Sequence, residues 1–476
     1  MTALQSKSRR RLLYLASFGT ASVALVACGA TPAAAPTATT AAEQPAAEAT
    51  AAPTVEPTKA PTLASTQAAE IEVWADNWGE EFNIPMESIG QDFTEATGIK
   101  TKWLFYDEEE GKLLTTVAGG TPPDTVMVDM TGGVPMYAQQ GTFMPLDDFF
   151  AQSGIKPTDF IKSTWEACVY EGKAYAIPGG ADYYCLVYSK DVYRDAGLDP
   201  EQPPKTLEEW VAHSEQIYKY DDSGNVVRMG MSPTELGIQA AGFIFGGQFY
   251  DLQSRKVICN QGGVVEALDW EVDLAKKFPI EKVNNFREGM PGYSQPNSGL
   301  ATGRIAYMIN GFWFYEPLDK YAPDLQYGVA FIPTLKGTPE ERERYIVEGW
   351  SYSIPQGSKH PAEAWQFMKY VFYDNAWYMG VKTINGCSVI SQLDKFFEGV
   401  AGNVGADNRL APYLHFFKET GAAGGRQWPM MAVAPRYYDE IQRAEDFAVH
   451  GEKTVQVALD ECAQTVQNEL DKVLSG

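Results

Sequence analysis

Residues 71–132 read IEVWADNWGEEFNIPMESIGQDFTEATGIKTKWLFYDEEEGKLLTTVAGGTPPDTVMVDMTG. Ile71–Trp74 is a short apolar strand. Glu87–Thr97 has helical spacing and stops at Gly98, a residue suited to the left-handed turn that ends helices. Lys100–Phe105 reads as the next strand, Glu109–Ala118 as a helix ended by Gly119 and Gly120, and Thr125–Val128 as a third, buried strand. The order β-α-β-α-β predicts an α/β fold, with a mostly parallel sheet flanked by helices on both faces. Ligands bind such sheets beyond the carboxyl ends of the strands. Those ends are 74–78 and 129–132.

Working outward, Tyr175–Pro178, Leu186–Tyr188, the RIAYMIN run ending at Asn310, and Tyr327–Ile332 are strand-like. Thr206–Tyr218 is an amphipathic helix with Thr206 as N-cap and Glu209 as its capping-box partner. Pro361–Tyr373 and Thr454–Val473 read as further helices. Asp221–Asn225 (DDSGN) reads as a hairpin turn; it lacks the spaced ligands and final Glu of a calcium loop, and no metal is expected. No cofactor motif is present either.

On the other side, residues 7–11 (KSRRR) precede an apolar run over 12–27, about 16 residues long. That is short for a membrane span and reads as an export signal. Ser8–Leu13 also resembles a twin-arginine signal, and the general secretory route fits equally. Leu25-Val26-Ala27-Cys28 resembles a bacterial lipobox, in which the signal peptide, here 1–27, is removed and Cys28 is lipidated. Two or more acyl chains anchor a protein stably where one does not. Residues 28–70 are mostly Ala, Pro and Thr, a semi-extended tether with nothing to bury.

The 476-residue chain carries 38 basic and 62 acidic residues, a formal charge of −24, and such a surface repels nucleic-acid backbones. Six cysteines without a C-x-x-C pair exclude a zinc ribbon or a thioredoxin-like motif. Five follow Cys28, so at least one is unpaired. Cys168 and Cys185 are close enough in sequence to pair, but buried thiols are the preferred reading. Four scattered histidines and the absence of H-E-x-x-H, G-x-S-x-G, Walker or G-x-G-x-x-G motifs leave no catalytic constellation. Paired acids far apart in sequence keep an exported carbohydrate-active enzyme as an alternative.

Aromatic residues point to binding. Trp74, Trp78, Trp313, Trp350 and Trp428 lie near strand ends, beside glycines and polar residues. A sugar ring offers an apolar face to an indole and a rim of hydroxyls to acids and amides.

Several segments, in order, resemble the extracytoplasmic solute-binding proteins of ABC importers, in the sugar-binding family that includes maltose-binding protein. They are Phe93–Lys100 (FTEATGIK), Ala118–Asp124 (AGGTPPD), Gly172–Pro178 (GKAYAIP) with Tyr188–Asp191 (YSKD), Ile309–Trp313 (INGFW), Tyr327–Pro333 (YGVAFIP), and Ile354–Lys359 with Ala364–Phe367. The resemblance covers essentially all of 71–476. It implies a two-lobed fold of type II, with lobe one at 71–184 and 329–384, lobe two at 185–328 and 385–476, and a ligand cleft between them that closes by hinge bending. It implies carbohydrate as ligand and ABC permease subunits as partners of a monomeric, membrane-tethered receptor. A non-sugar solute, such as an oligopeptide or a glycerol-phosphate ester, is the alternative ligand.

Carried over residue by residue, the resemblance places Asp76, Asn77 and Trp78 at the first strand's end and Asp129 and Thr131 after the third. It places Asp182 and Tyr183 at the first crossing, Glu235 in the second lobe, and Trp313, Trp350 and Trp428 as stacking rings. Each has a plainer reading: Asp76 and Asn77 as helix caps, Asp129 as a turn former, Asp182 as the partner of a lysine across the hinge, Glu235 as a helix-start acid, and the tryptophans as core.

Overall fold

The computed structural model describes residues 70–107, 111–405 and 407–475. The export signal, Cys28 and the tether lie outside the described residues. Among those described, no helix is long and apolar enough to cross a membrane.

Two main sheets organise the chain. The strands are β1 (Glu70–Asp76), β2 (Lys100–Tyr106), β3 (Thr125–Asp129), β4 (Ala176–Pro178), β5 (Cys185–Ser189), β6 (Tyr307–Asn310), β7 (Tyr327–Ala330) and β8 (Trp350–Ser353). The first sheet has the order β2-β1-β3-β8-β4, and the second β6-β5-β7. β1 pairs in parallel with both β2 and β3, as the β-α-β-α-β order predicts. β2 is the edge strand. Its charged Lys100 and Lys102 blunt the open edge, and Lys102 pairs with Glu72 of β1 at 2.9 Å.

The helix between β1 and β2 runs Glu80–Thr97, starting earlier than its spacing suggests and carrying Pro85 inside. Burial of Phe82 and Met86 on its inner face offsets the hydrogen bond lost at the proline. It ends as expected. Gly98, at φ +79°, donates its N–H to the Thr94 carbonyl at 2.8 Å, a conformation that a side chain would strain. The capping box at Thr206 and Glu209 is present on the helix Leu207–Ile217. Asp221 accepts N–H groups from Ser223 and Asn225 at 2.9 and 2.8 Å and folds the expected hairpin turn.

The second sheet corrects the expectation of parallel strands, because β6 and β7 both run antiparallel to β5. The physical reason is topological. β5 leaves the first crossing (179–184) and runs away from it, while β7 runs back toward the second crossing (331–349). The same constraint sets β4 and β8 antiparallel in the first sheet. The expected lobe boundary at 329 therefore cuts through β7, which belongs to the second sheet. As a result, the carboxyl ends of β3, β6 and β7 all point at the crossings.

Each sheet has its own apolar core. Trp74, Val126, Val128, Met130 and Phe143 lie in one, while Leu186, Trp210, Ile238, Tyr307 and Leu459 lie in the other.

Candidate functional site

Three carboxylates meet where the sheets adjoin. Asp129 ends β3, Asp182 lies in the first crossing, and Glu348 stands just before β8. The two crossings are joined directly, since the Asp182 N–H donates to the Glu348 carbonyl at 2.8 Å. The Met130 N–H donates to the Gly349 carbonyl at 3.1 Å, bringing β3 to the same point. Gly179 and Gly180 donate to the Trp350 carbonyl at 2.8 and 3.1 Å. A Cβ on either would strike the Trp350 ring, so this crossing lies flat on the indole.

All three acids are half-buried. Burial pushes Asp182 up to about 6, partly offset by the Tyr184 hydroxyl, which donates to its Oδ2 at 3.3 Å. Burial, together with the charges of Asp182 and Asp129, pushes Glu348 up to about 7. Nearby cations are held elsewhere. Arg287 lies 3.8 Å from Glu235, Arg344 3.0 Å from Glu341 and Arg426 3.6 Å from Glu343, and Arg342 pairs with Glu419. Among the described residues no lysine or arginine forms an ion pair with Asp129, Asp182 or Glu348, nor does any cluster of acids, histidines and cysteines suit a metal ion.

Aromatic rings surround these acids. Trp313 is half-buried, meets Tyr184 edge-on at 5.9 Å, and lies beside Tyr293. Tyr293 feels the charge of Asp182. Tyr345 and Tyr438 both feel that of Glu348. The indole of Trp313 turns back over Gly311, where any Cβ would overlap it. That position holds the ring beside Tyr184 rather than in the core.

The predicted residues divide between surface, turn and interior. Trp78 is 42 % exposed and rests on Phe82 at 4.5 Å and on Trp350 at 6.0 Å. Asn77 is exposed and accepts from the Asn83 amide at 2.9 Å. Asp76 is buried at the end of β1. Asp129 is a turn former: Thr131 donates to it both its N–H, at 2.7 Å, and its hydroxyl. Glu235 is a helix-start acid, accepting the Ser232 N–H at 3.1 Å just ahead of the helix Gly237–Ile244. Among the described residues Asp182 has no lysine partner, and it accepts from the Tyr184 hydroxyl instead.

Three readings need correction. Tyr183 is fully buried, donates its hydroxyl to the Cys387 carbonyl and stacks on Phe397, so it cannot meet a ligand. Trp350 is 2 % exposed and forms the floor beneath Trp78 and the first crossing. Trp428 is also 2 % exposed, packed on Phe249 and Tyr437, with its indole donating to the Ala434 carbonyl at 3.3 Å. Trp74 is likewise buried.

Sequence reading missed Tyr184, Tyr293, Tyr345, Glu348 and Tyr438. Two of these left a signal. Side chains alternate along an extended chain, so Asp182 and Tyr184 share one face and Tyr183 takes the other. Glu348 stands two residues before Trp350, in the same EGW segment.

The two α/β sheets, linked by crossings that carry half-buried acids and rings, define a two-lobed solute-binding fold. Residues 88–389 match the family described as bacterial extracellular solute-binding protein, and the chain belongs to that family of exported proteins. Among its relatives is the diacetylchitobiose binding protein DasA of Streptomyces coelicolor, 24 % identical over 327 residues, covering 67 % of this chain and 72 % of that one. A putative binding protein of Brucella abortus is 25 % identical over 267 residues, or 55 % of this chain. The chain spans only 61 % of that relative's length. Among solved structures, mannotriose-bound CpMnBP1 superposes with a TM-score of 0.66 at 25 % identity, covering 84 % of this chain and 100 % of that one.

Proposed function

We propose that this protein is an extracytoplasmic receptor that captures a carbohydrate between its lobes and delivers it to an ABC permease, tethered to the outer face of the membrane through a lipid on Cys28. The observation that carries the reading is the junction of Asp129, Asp182 and Glu348, which forms no ion pair with a lysine or arginine among the described residues and lies beside Tyr184, Trp313 and Tyr293. Thr131 and Tyr184 supply only part of what Asp129 and Asp182 can accept, and sugar hydroxyls supply the rest; the aromatic faces cover the C–H face of the ring. Two of the relatives described above support the same class of ligand, one named for diacetylchitobiose binding and the other holding mannotriose.

Because Asp129 and Trp78 belong to the first lobe and Trp313 and Tyr293 to the second, with Asp182 and Glu348 on the crossings between, one ligand contacts both lobes at once. The closed form then gains bonds the open form cannot make, and binding shifts the population toward closure. The receptor performs no chemistry on the bound solute. The uncompensated acids also favour a second reading, a solute bearing an amine, such as an oligopeptide, and they disfavour a phosphate ester.

Calorimetric titration against a panel of mono- and oligosaccharides tests the proposal. Heat with one saccharide class is the expected result. Silence across the panel, with heat from a peptide or polyamine, would overturn the sugar reading and keep the receptor.

A further inference from the structure

Cys259 and Cys462, 203 positions apart, stand with their sulfurs 4.0 Å from each other in the second lobe. Both are buried, at 0 % and 2 % exposure. Cys259 lies just after the short strand Lys256–Val257, and Cys462 lies on the inner face of the C-terminal helix Val455–Ser475. The segment around Cys259 is stitched along that helix on both sides of the pair. On one side Gln467 donates to the Arg255 carbonyl at 3.2 Å and accepts the Val257 N–H at 2.9 Å. On the other, Asn260 donates to Asp460 at 2.7 Å and Gln456 donates to the Asn260 carbonyl at 3.1 Å. These bonds fix the register of the two backbones, so the thiols face each other by construction.

The other three cysteines differ. The Cys185 sulfur lies 3.7 Å from the Thr420 hydroxyl, and Cys387 donates to the Val389 carbonyl at 3.6 Å. Cys168 belongs to the first core, with Ser351 beside it. The pairing of Cys168 with Cys185 considered from sequence is not seen: the two thiols have separate partners.

We propose that Cys259 and Cys462 are joined as a disulfide in the exported protein. A disulfide sulfur sits about 2.05 Å from its partner, so bond formation needs the two sulfurs to approach by only about 2 Å. In the step, each thiol loses its proton, one S–S bond forms, and two electrons pass to the disulfide of an extracytoplasmic thiol oxidoreductase, which leaves as a dithiol. Because both sulfurs are buried once the C-terminal helix has docked, the exchange takes place while the second lobe is still folding. The bond then clamps that helix, the last element of the chain, onto the lobe.

The test uses the full chain, exported by a bacterial host from its own N-terminus. Free thiols are trapped with N-ethylmaleimide at cell disruption, and the protein is digested without reduction and mapped by mass spectrometry. The expected result is a linked Cys259–Cys462 peptide, with Cys168, Cys185 and Cys387 alkylated. Alkylation of both Cys259 and Cys462, or a link to any other cysteine, overturns the proposal. A thermal comparison guards against trapping artefacts. Reductant should lower the Tm of the natural protein and leave that of the C259A/C462A variant unchanged; equal behaviour of the two would also overturn it.

Discussion

Two groups of carboxylates are held away from bulk water in this protein, one at the crossings and one in the core of the second lobe. At the crossings, Asp182 and Glu348 feel each other's charge with Asp129 nearby, all three half-buried. In the core, Glu271 of the helix Gly263–Lys277 faces Glu445 of the helix Ala434–Val449, and both are buried. Burial and the charge of Glu445 push Glu271 well above the usual carboxylate range. Burial pushes Glu445 up to about 7, eased by its hydrogen bonds with Glu271 and with the Ile238 N–H at 2.8 Å. Glu445 caps the helix Gly237–Ile244 and faces Glu271 across the core. Both groups lack a full set of donors, since among the described residues neither Glu271 oxygen has a donor partner, but the core pair is sealed away while the crossing acids are partly exposed. Neither raised proton affinity nor incomplete satisfaction alone therefore marks a binding site; partial exposure is what sets the crossing acids apart.

The same contrast holds for tryptophans, and there it yields the largest expected effect. Trp428→Ala empties a sealed interior and should destabilise the protein by about 3–5 kcal/mol, read by chemical denaturation. Trp313→Ala should leave Tm nearly unchanged while weakening the bound saccharide by about 2–3 kcal/mol, roughly 30- to 150-fold in Kd. If the two variants exchanged phenotypes, the division between interior and cleft would fail.

Next comes the core pair. Its acids have folded pKa values above the unfolded glutamate value of about 4.3, so their stabilising contribution is complete below that pH and is lost as pH rises through about 7. Stability should therefore fall between pH 5 and pH 8, by on the order of 2 kcal/mol from this pair. Glu271→Gln keeps a donor toward Glu445 without a proton to lose, and should flatten the slope. An unchanged slope in that variant would remove the pair from the account.

The smallest effect belongs to the crossings. As Glu348 ionises through about 7 it becomes a better acceptor for hydroxyl donors, so saccharide affinity should rise a few-fold from pH 5.5 to 8. Glu348→Gln should bind with little pH dependence. A slope retained in that variant would shift the effect to Asp182.

Much of the fold was legible because local rules and tertiary structure agreed. The Gly98 stop, the Thr206–Glu209 capping box, the Asp221 turn and the parallel β1–β3 core follow from short-range chemistry and hydrophobic runs. The antiparallel second sheet was not legible, because it depends on where the chain enters and leaves the lobe. The site was legible in part. Asp182, Trp78 and Trp313 lie on or near open surface, but composition could not separate Trp313 from Trp350 or Trp428, since all three are tryptophans near glycines or strand ends.

By itself, the chain's order of residues determined the α/β alternation, the helix ends and the resemblance to solute-binding proteins, because those depend on neighbours a few positions apart. Only the tertiary structure decided which ring faces the cleft, which tyrosine of the 183–184 pair meets Asp182, and that Glu348 joins Asp129 and Asp182. Those outcomes turn on segments more than a hundred residues apart being packed together, and burial is a property of that packing rather than of any residue alone.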